Sequence, residues 1–220
     1  MYKRQGFDGG NLAVEAMLQL PRDHESMTIV IPIGAKRFYY NRKVNCMPAK
    51  GWIERDGRRE ELFPEESLGN MDWGRGVWDY GSFWVWASAS GFLGDGRTVG
   101  LNLGHGFGDT SAATENALIL GGRVHKLGQI DFTYDSTDFM RPRRMTSSGV
   151  GAMNGDENVP DLDLQFTPFV ERVAESNLLV IVSEVHQMFG YYSGTVHADG
   201  GETIRLDHLI GFAEEHHARW

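Results

Sequence analysis

The sequence predicts an all-β protein built as an antiparallel β-barrel. Three observations lead there. Apolar and polar residues alternate along most of the chain, as they do in half-buried strands. Glycine fills 28 of the 220 positions, nearly twice its usual share of about 7%, and falls mostly between the alternating runs, where tight turns need it. No 12-residue stretch has the apolar spacing of an amphipathic helix.

Taken in order, 11–20 (NLAVEAMLQL), 26–33 (SMTIVIPI) and 37–46 (RFYYNRKVNC) read as strands, followed by 51–57 and 59–63 around an Asp56-Gly57 hairpin turn. Residues 64–81 lose the two-residue period and read as a plug or corner that starts with a helical turn at Pro64. Strands resume at 82–90 (SFWVWASAS), 97–106, 115–122, 123–128 and 129–135. Residues 135–160 are rich in Ser, Gly, Asn and Asp and read as a disordered insert, with a lid as the alternative. The chain then returns to strands at 161–168, 169–175, 177–198 and 201–220, the last of which could also end in a short helix. Many short antiparallel strands fit a barrel or a sandwich. A barrel wide enough for a ligand accounts for aromatic and polar side chains on inward faces.

The net charge of −9 disfavours nucleic acid as a partner, because phosphate binding needs a basic surface. The one dense basic cluster, Arg141-Pro142-Arg143-Arg144, reads as a solvated loop. No apolar run reaches the length of a transmembrane helix and no secretory leader is visible. Cys46 is the single cysteine, which points to a reducing, cytoplasmic setting and a buried, inert thiol. Nothing in the sequence sets an oligomeric state. The opening MYKRQ reads as the translation of a sequencing-library adapter, so residues 1–5 are set aside and the gene is expected to extend further upstream. Residues 6–81 are then the remainder of a first barrel with its connecting corner, and residues 82–220 are a C-terminal barrel.

The segment WDYGSFWVWASASG (78–91) holds the densest candidate site. In a strand, Trp84, Trp86, Ser88 and Ser90 share one face, and Phe83, Val85, Ala87 and Ala89 the other. Two indoles with two hydroxyls suit the wall of a pocket for an apolar ligand; ordinary core packing is the equal alternative. Asp79 and Tyr80 precede the strand, where a barrel mouth could lie. Asp79 fits a turn cap first and an acid of raised pKa second. Asn102, Glu115 and Asn116 supply polar groups to the same cavity if they point inward, and fit surface or turn positions equally well. Glu184 and His186 share a strand face and form a proton-transfer pair or a structural one.

The glycines of GLNLGHGFGD (100–109) mimic a dinucleotide loop without the strand–turn–helix unit that it requires, so no cofactor is expected. Glu214, Glu215, His216 and His217 lack metal-ligand spacing, so no metal is expected. A nucleophile elbow is also absent.

Five segments, YNRKVNCMPAKG (40–51), WGRGVWDYGSFWVWASASG (73–91), VGLNLGHGFGDTSAATENALILGGRVHKLGQIDFTY (99–134), EVHQMFGYYSGTV (184–196) and GFAEEHHARW (211–220), together resemble the domain-of-unknown-function 2804 family. That family is in turn distantly similar to the tandem lipocalin-like proteins that include carotenoid 1,2-hydratase and lipocalin-fold cyclases. The resemblance implies a lipocalin-like fold of two barrels, the second in the C-terminal half, and members longer at the N-terminus. It brings no assigned reaction. The sequence departs from the family pattern after DFTYD, where a Pro-Trp is missing.

Two functions from different classes follow. One is a binding module for a small apolar or amphipathic molecule, with Tyr80, Trp84, Trp86, Ser88, Asn102 and Asn116 as its ligand-binding residues. The other is a hydratase, isomerase or cyclase acting on an isoprenoid-like or lipid-like substrate, with Asp79, Glu115, Glu184 and His186 as candidate acids and bases. A third possibility is a structural half-barrel whose aromatic residues seal an interface. Carboxyl groups in one enclosed cavity separate the enzyme from the binder.

Overall fold

The computed structural model describes residues 2–147, 161–178 and 180–219, with side chains from residue 10 onward. Every regular element among them is a strand. None is a helix long and apolar enough to cross a membrane.

The N-terminal portion contributes β1 (Tyr2–Gly9), β2 (Leu12–Gln19), β3 (Met27–Ile33), β4 (Arg37–Arg55), β5 (Arg58–Leu62) and β6 (Leu68–Val77). These form a six-stranded sheet around β4, which pairs with β2, β3, β5 and β6. The remainder contributes β7 (Gly81–Phe92), β8 (Thr98–His105), β9 (Ala117–Leu120), β10 (Arg123–Lys126), β11 (Ile130–Thr133), β12 (Arg143–Ser147), β13 (Leu162–Leu178), β14 (Ile181–His197) and β15 (Thr203–Arg219). They make a nine-stranded antiparallel sheet in the order β10-β9-β8-β7-β15-β14-β13-β12-β11. Two meanders, β7 to β10 and β11 to β15, are joined where β15 pairs with β7. The sheet curls into a half-barrel.

The hollow of the curl is packed with side chains. Ala87 and Ala89 of β7, Leu101 and Leu103 of β8, Leu164 and Phe166 of β13 and Tyr192 of β14 belong to one buried cluster. Alternation makes this possible, because residues two apart share a face. The Tyr192 hydroxyl is satisfied in the core by donating to Phe212 O at 2.6 Å.

The opposite, outer face of β7 and β8 carries Ser88, Ser90, Gly100 and Asn102, and β4 packs against it. The small residues permit the close approach: a Cβ on Gly100 would meet Asn45 Cβ and Cys46 Sγ at 2.8 Å. Asn45, 2% exposed, directs Nδ2 at Ser88 Oγ (2.9 Å), Ala89 O (3.1 Å) and Leu101 O (2.9 Å). The amide of Cys46 donates to Ser90 Oγ at 3.0 Å. The two hydroxyls of the ASAS run therefore tie the two sheets together. Cys46 lies in a register shift of the β4–β6 pairing, with φ of 58°. Burial pushes its thiol up to about 11, in keeping with an inert role.

Four sequence expectations are corrected here. Residues 37–46 and 51–57 are not separate strands but parts of the continuous β4. Residues 68–77, expected in a corner, form β6; its GRG stretch hides the period, yet β4 supplies partners along it except at Asn70, where the register shifts. Residues 143–147, expected in an insert, form β12 between β11 and β13. Arg143, expected in a solvated loop, is 2% exposed, its guanidinium 4.9 Å from the Tyr134 ring centroid. The rest of the expected insert, 148–160, lies outside the described residues. The tail is strand to Arg219.

If Asn45 holds the sheets together, Asn45→Ala leaves a buried hydroxyl and two carbonyls without that donor, which should cost about 2–3 kcal/mol. Urea denaturation of the variant checks this, and a midpoint equal to that of the parent protein would show that the brace is dispensable.

Candidate functional site

Between β4 and β6 on one side and the start of β7 on the other, the two sheets line a partly open cavity of about 160 Å³. Tyr39, Asn41 and Lys43 reach it from β4, Asp72 from β6, and Trp78 from the β6–β7 connection. Trp84 and Trp86 come from β7, Phe107 and Glu115 from the β8–β9 loop, and Glu214 from β15.

The register explains the grouping. Trp86 faces Glu214 on β15 and Gly104 on β8, and cross-strand partners share a face. Gly104 has a specific use: a Cβ there would collide with the Glu115 carboxyl. Its absence lets Glu115 lie flat against β8.

Rings build the wall. Phe107 stands edge-on to Tyr39, Trp78 and Trp84, with centroids 5.1, 5.6 and 5.4 Å apart. Trp84 Nε1 donates to Glu214 Oε1 at 3.1 Å, and Trp86 Nε1 donates to Asn102 Oδ1 at 2.8 Å. The indoles are thus fixed by their polar edges and leave apolar faces to the cavity.

Charge is concentrated here. Lys43, 6% exposed in its side chain, pairs with Asp72 Oδ2 at 2.9 Å and lies 3.9 Å from Glu115 Oε2. Its Nζ also sits 3.7 Å from the centroid of the Trp86 ring. Burial raises the pKa of Glu115, with Lys43 opposing. Burial likewise raises that of Glu214, against the donors Trp84 and Gln187, the latter at 2.9 Å. Two carboxyl groups whose pKa values burial raises therefore share an aromatic cavity with an ion pair. Such a set can deliver a proton and then stabilise the cation that results.

The residues singled out from sequence divide into four groups. Trp84, Trp86 and Glu115 line the cavity. Ser88, Asn102 and Asn116 stand behind it as braces. Ser88 receives Asn45; Asn102 receives Trp86 and donates to Glu115 O at 2.9 Å; Asn116 receives the Gly104 amide at 2.7 Å and donates to Gly128 O at 2.9 Å. Asp79 pairs with Arg37 in a half-exposed position, and Tyr80, 57% exposed, donates to Val180 O at 3.2 Å.

Glu184 and His186 form the fourth group, on the other face of the nine-stranded sheet, where they meet Glu171 and Glu215 in an open groove. His186 holds Glu171 at 2.7 Å and Glu184 at 3.3 Å, and stacks on Phe139. Burial alone would lower the pKa of this imidazole, but the two carboxylates outweigh it and raise it.

The expected pocket was the hollow of the barrel. The indoles instead occupy the outer face, covered by the six-stranded sheet. Sequence reasoning missed Tyr39, Asn41, Lys43, Asp72, Trp78, Phe107 and the place of Glu214 in the cavity. The two-residue spacing of Tyr39, Asn41 and Lys43 was a usable signal. Glu214 needed the β7–β15 register, which no local pattern encodes.

In fold, the protein is similar to kievitone hydratase from Nectria haematococca, with a TM-score of 0.51 at 11% identity, over 100% of this chain and 64% of that one. A candidate AttH protein from Nitrosomonas europaea matches 97% of this chain and 64% of its own, at 14% identity and a TM-score of 0.47. The chain thus spans less than two thirds of either protein. No curated protein matches the sequence. A family profile described as domain of unknown function (DUF2804) matches residues 1–220, and the chain belongs to that family.

Proposed function

We propose that the inter-sheet cavity binds a small apolar or amphipathic molecule and that Glu115 and Glu214 exchange a proton with it. The protein would then be an acid–base enzyme of the hydratase, isomerase or cyclase type, acting on an isoprenoid-like or lipid-like substrate. These reactions share their first step: a carboxylic acid protonates a carbon–carbon double bond and leaves a carbocation. Addition of water, loss of another proton, or attack by an internal nucleophile completes each one. Atoms balance in all three without an oxidant or reductant.

The observation that carries this reading is the meeting of Glu115 and Glu214 in a cavity walled by Trp84 and Trp86. A simple binding module would place a carboxyl-free apolar surface there. Burying acids beside indoles destabilises the charged forms and serves no packing purpose. The Lys43 ammonium against Trp86 shows that an indole face in this site accepts a cation. The fold likeness to a hydratase is consistent with the proposal but does not establish it, since fold alone does not fix function.

Deuterium transfer tests the chemistry. Incubation of the protein in D₂O with short isoprenoid alkenes and alcohols should place deuterium on carbon, read by mass spectrometry. Glu115→Gln and Glu214→Gln should each slow the transfer by about 10²–10⁴-fold. Binding of these compounds with no incorporation would reduce the site to a binding pocket.

Stability tests the acid. The Glu214 carboxyl holds its proton more strongly in the folded than in the unfolded chain, so the folded state binds more protons between the two pKa values. The stabilisation is complete below the ordinary value of about 4.5 and is lost as pH rises through the folded one. Glu214→Gln removes that loss. Its melting temperature relative to the parent should therefore increase as pH goes from about 4.5 to about 8. A difference that stays constant with pH would show that Glu214 is not a raised acid.

A further inference from the structure

The inventory of hydrogen-bonding groups in the cavity narrows what it can hold; this rests on the functional reading above. Four donors around its wall are engaged internally. Trp84 Nε1 is used by Glu214 and Trp86 Nε1 by Asn102. Lys43 Nζ is used by Asp72 and lies near Glu115. Asn41 Nδ2 donates to Glu115 Oε2 at 2.7 Å.

An acceptor is left over. Asn41 is 0% exposed and lines the cavity, and its Oδ1 has no hydrogen-bond partner. With Glu115 Oε2 accepting, Nδ2 faces the carboxyl and Oδ1 is the end left over. A buried carbonyl without a donor costs about 1–3 kcal/mol, so a ligand that supplies one is favoured. Anions meet the opposite situation, because Asp72, Glu115 and Glu214 line the same space and the one ammonium is already paired.

Size sets the last limit. The cavity measures about 160 Å³, close to the dry cavity of about 150 Å³ known to take up benzene in another protein. Edge-on rings around it suit a flat occupant.

We propose that the occupant is an uncharged molecule whose buried part is about the size of one six-membered ring and which donates a hydroxyl or N–H hydrogen bond to Oδ1 of Asn41. A larger substrate would place only its hydroxyl-bearing end in the cavity.

Phenol, anisole, toluene and benzoate are the probes, titrated calorimetrically against the full chain. Phenol and anisole differ in the O–H, which tests the donor without altering the protein. A neutral hydrogen bond predicts phenol binding about 2–12-fold tighter than anisole or toluene. Benzoate should bind at least about tenfold more weakly than phenol, given the three carboxyl groups. Asn41→Leu should abolish the preference for phenol while retaining toluene.

Equal affinity for phenol and toluene, benzoate binding as tight as phenol, or no binding of any ring at millimolar concentration would each overturn the inference. Its failure is separable from that of the enzymatic reading. A phenol preference without deuterium transfer removes the chemistry and keeps the ligand class. Deuterium transfer without a phenol preference removes the ligand class and keeps the chemistry.

Discussion

A strand buried on both faces must satisfy two neighbours at once, and β7 is such a strand. One face presents Ala87 and Ala89 to the filled hollow of the half-barrel. The other presents Ser88 and Ser90 to β4 and, one turn of the pleat away, Trp84 and Trp86 to the cavity. Small residues dominate where a second sheet must come close, and large rings appear where it swings away. The cavity follows from this switch. Asn45 grips β7 and β8 on one side of it, and the indoles keep the sheets apart on the other.

The same burial governs the electrostatics. Outside the junction, carboxylates pair with arginines in exposed positions, as Asp163 does with Arg144 at 2.8 Å. Such pairs contribute little to stability. Inside it, Glu115 and Glu214 are removed from water and receive only partial compensation. The groove around His186 is the useful contrast. It too brings Glu and His together, but there imidazoles match the acids, His186 with Glu171 and His217 with the buried Glu215 at 2.9 Å. Matched charges stabilise themselves. Glu115 and Glu214 have the neutral donors Asn41, Trp84 and Gln187 beside them, and Lys43, 3.9 Å from Glu115, as the cation of the cavity.

The strands of the half-barrel were legible because their alternation is strong: Leu162, Leu164 and Phe166 repeat at every second position, and glycine pairs such as Gly121-Gly122 mark the turns. The β7 alternation was equally plain, and it assigned Trp84 with Trp86 and Ala87 with Ala89 to opposite faces. Parity, however, states only which residues share a face. It does not state which face looks into the hollow, and for a strand covered on both sides the residue types do not settle that. Strand β6 escaped notice because Gly74 and Gly76 interrupt its pattern, and Asp72 was lost with it. The meeting of Trp84 with Glu214 spans 130 positions and depends on β15 returning to pair with β7. Local pattern reads elements; the site is made by non-local pairing.

That non-local origin bears on what kind of site this is. Tyr39, Asn41, Lys43 and Asp72 come from the six-stranded sheet, and Trp84, Trp86, Glu115 and Glu214 from the nine-stranded one or its loops. Neither sheet encloses the cavity alone. Trp84, Trp86 and Glu214 are anchored on strands of the half-barrel, and Glu115 on its β8–β9 loop lies against Gly104 of β8. The residues that face the cavity from across the gap sit on β4 and β6, and β4 packs against the half-barrel through a polar seam. Under the proposed chemistry the half-barrel would supply the proton and the two indoles of β7, and the six-stranded sheet the ammonium, the Tyr39 ring and the open carbonyl. Changes along β4 and β6 would redirect which molecule is held while leaving the acids in place, so a shared fold could serve different substrates through its covering sheet rather than through its barrel.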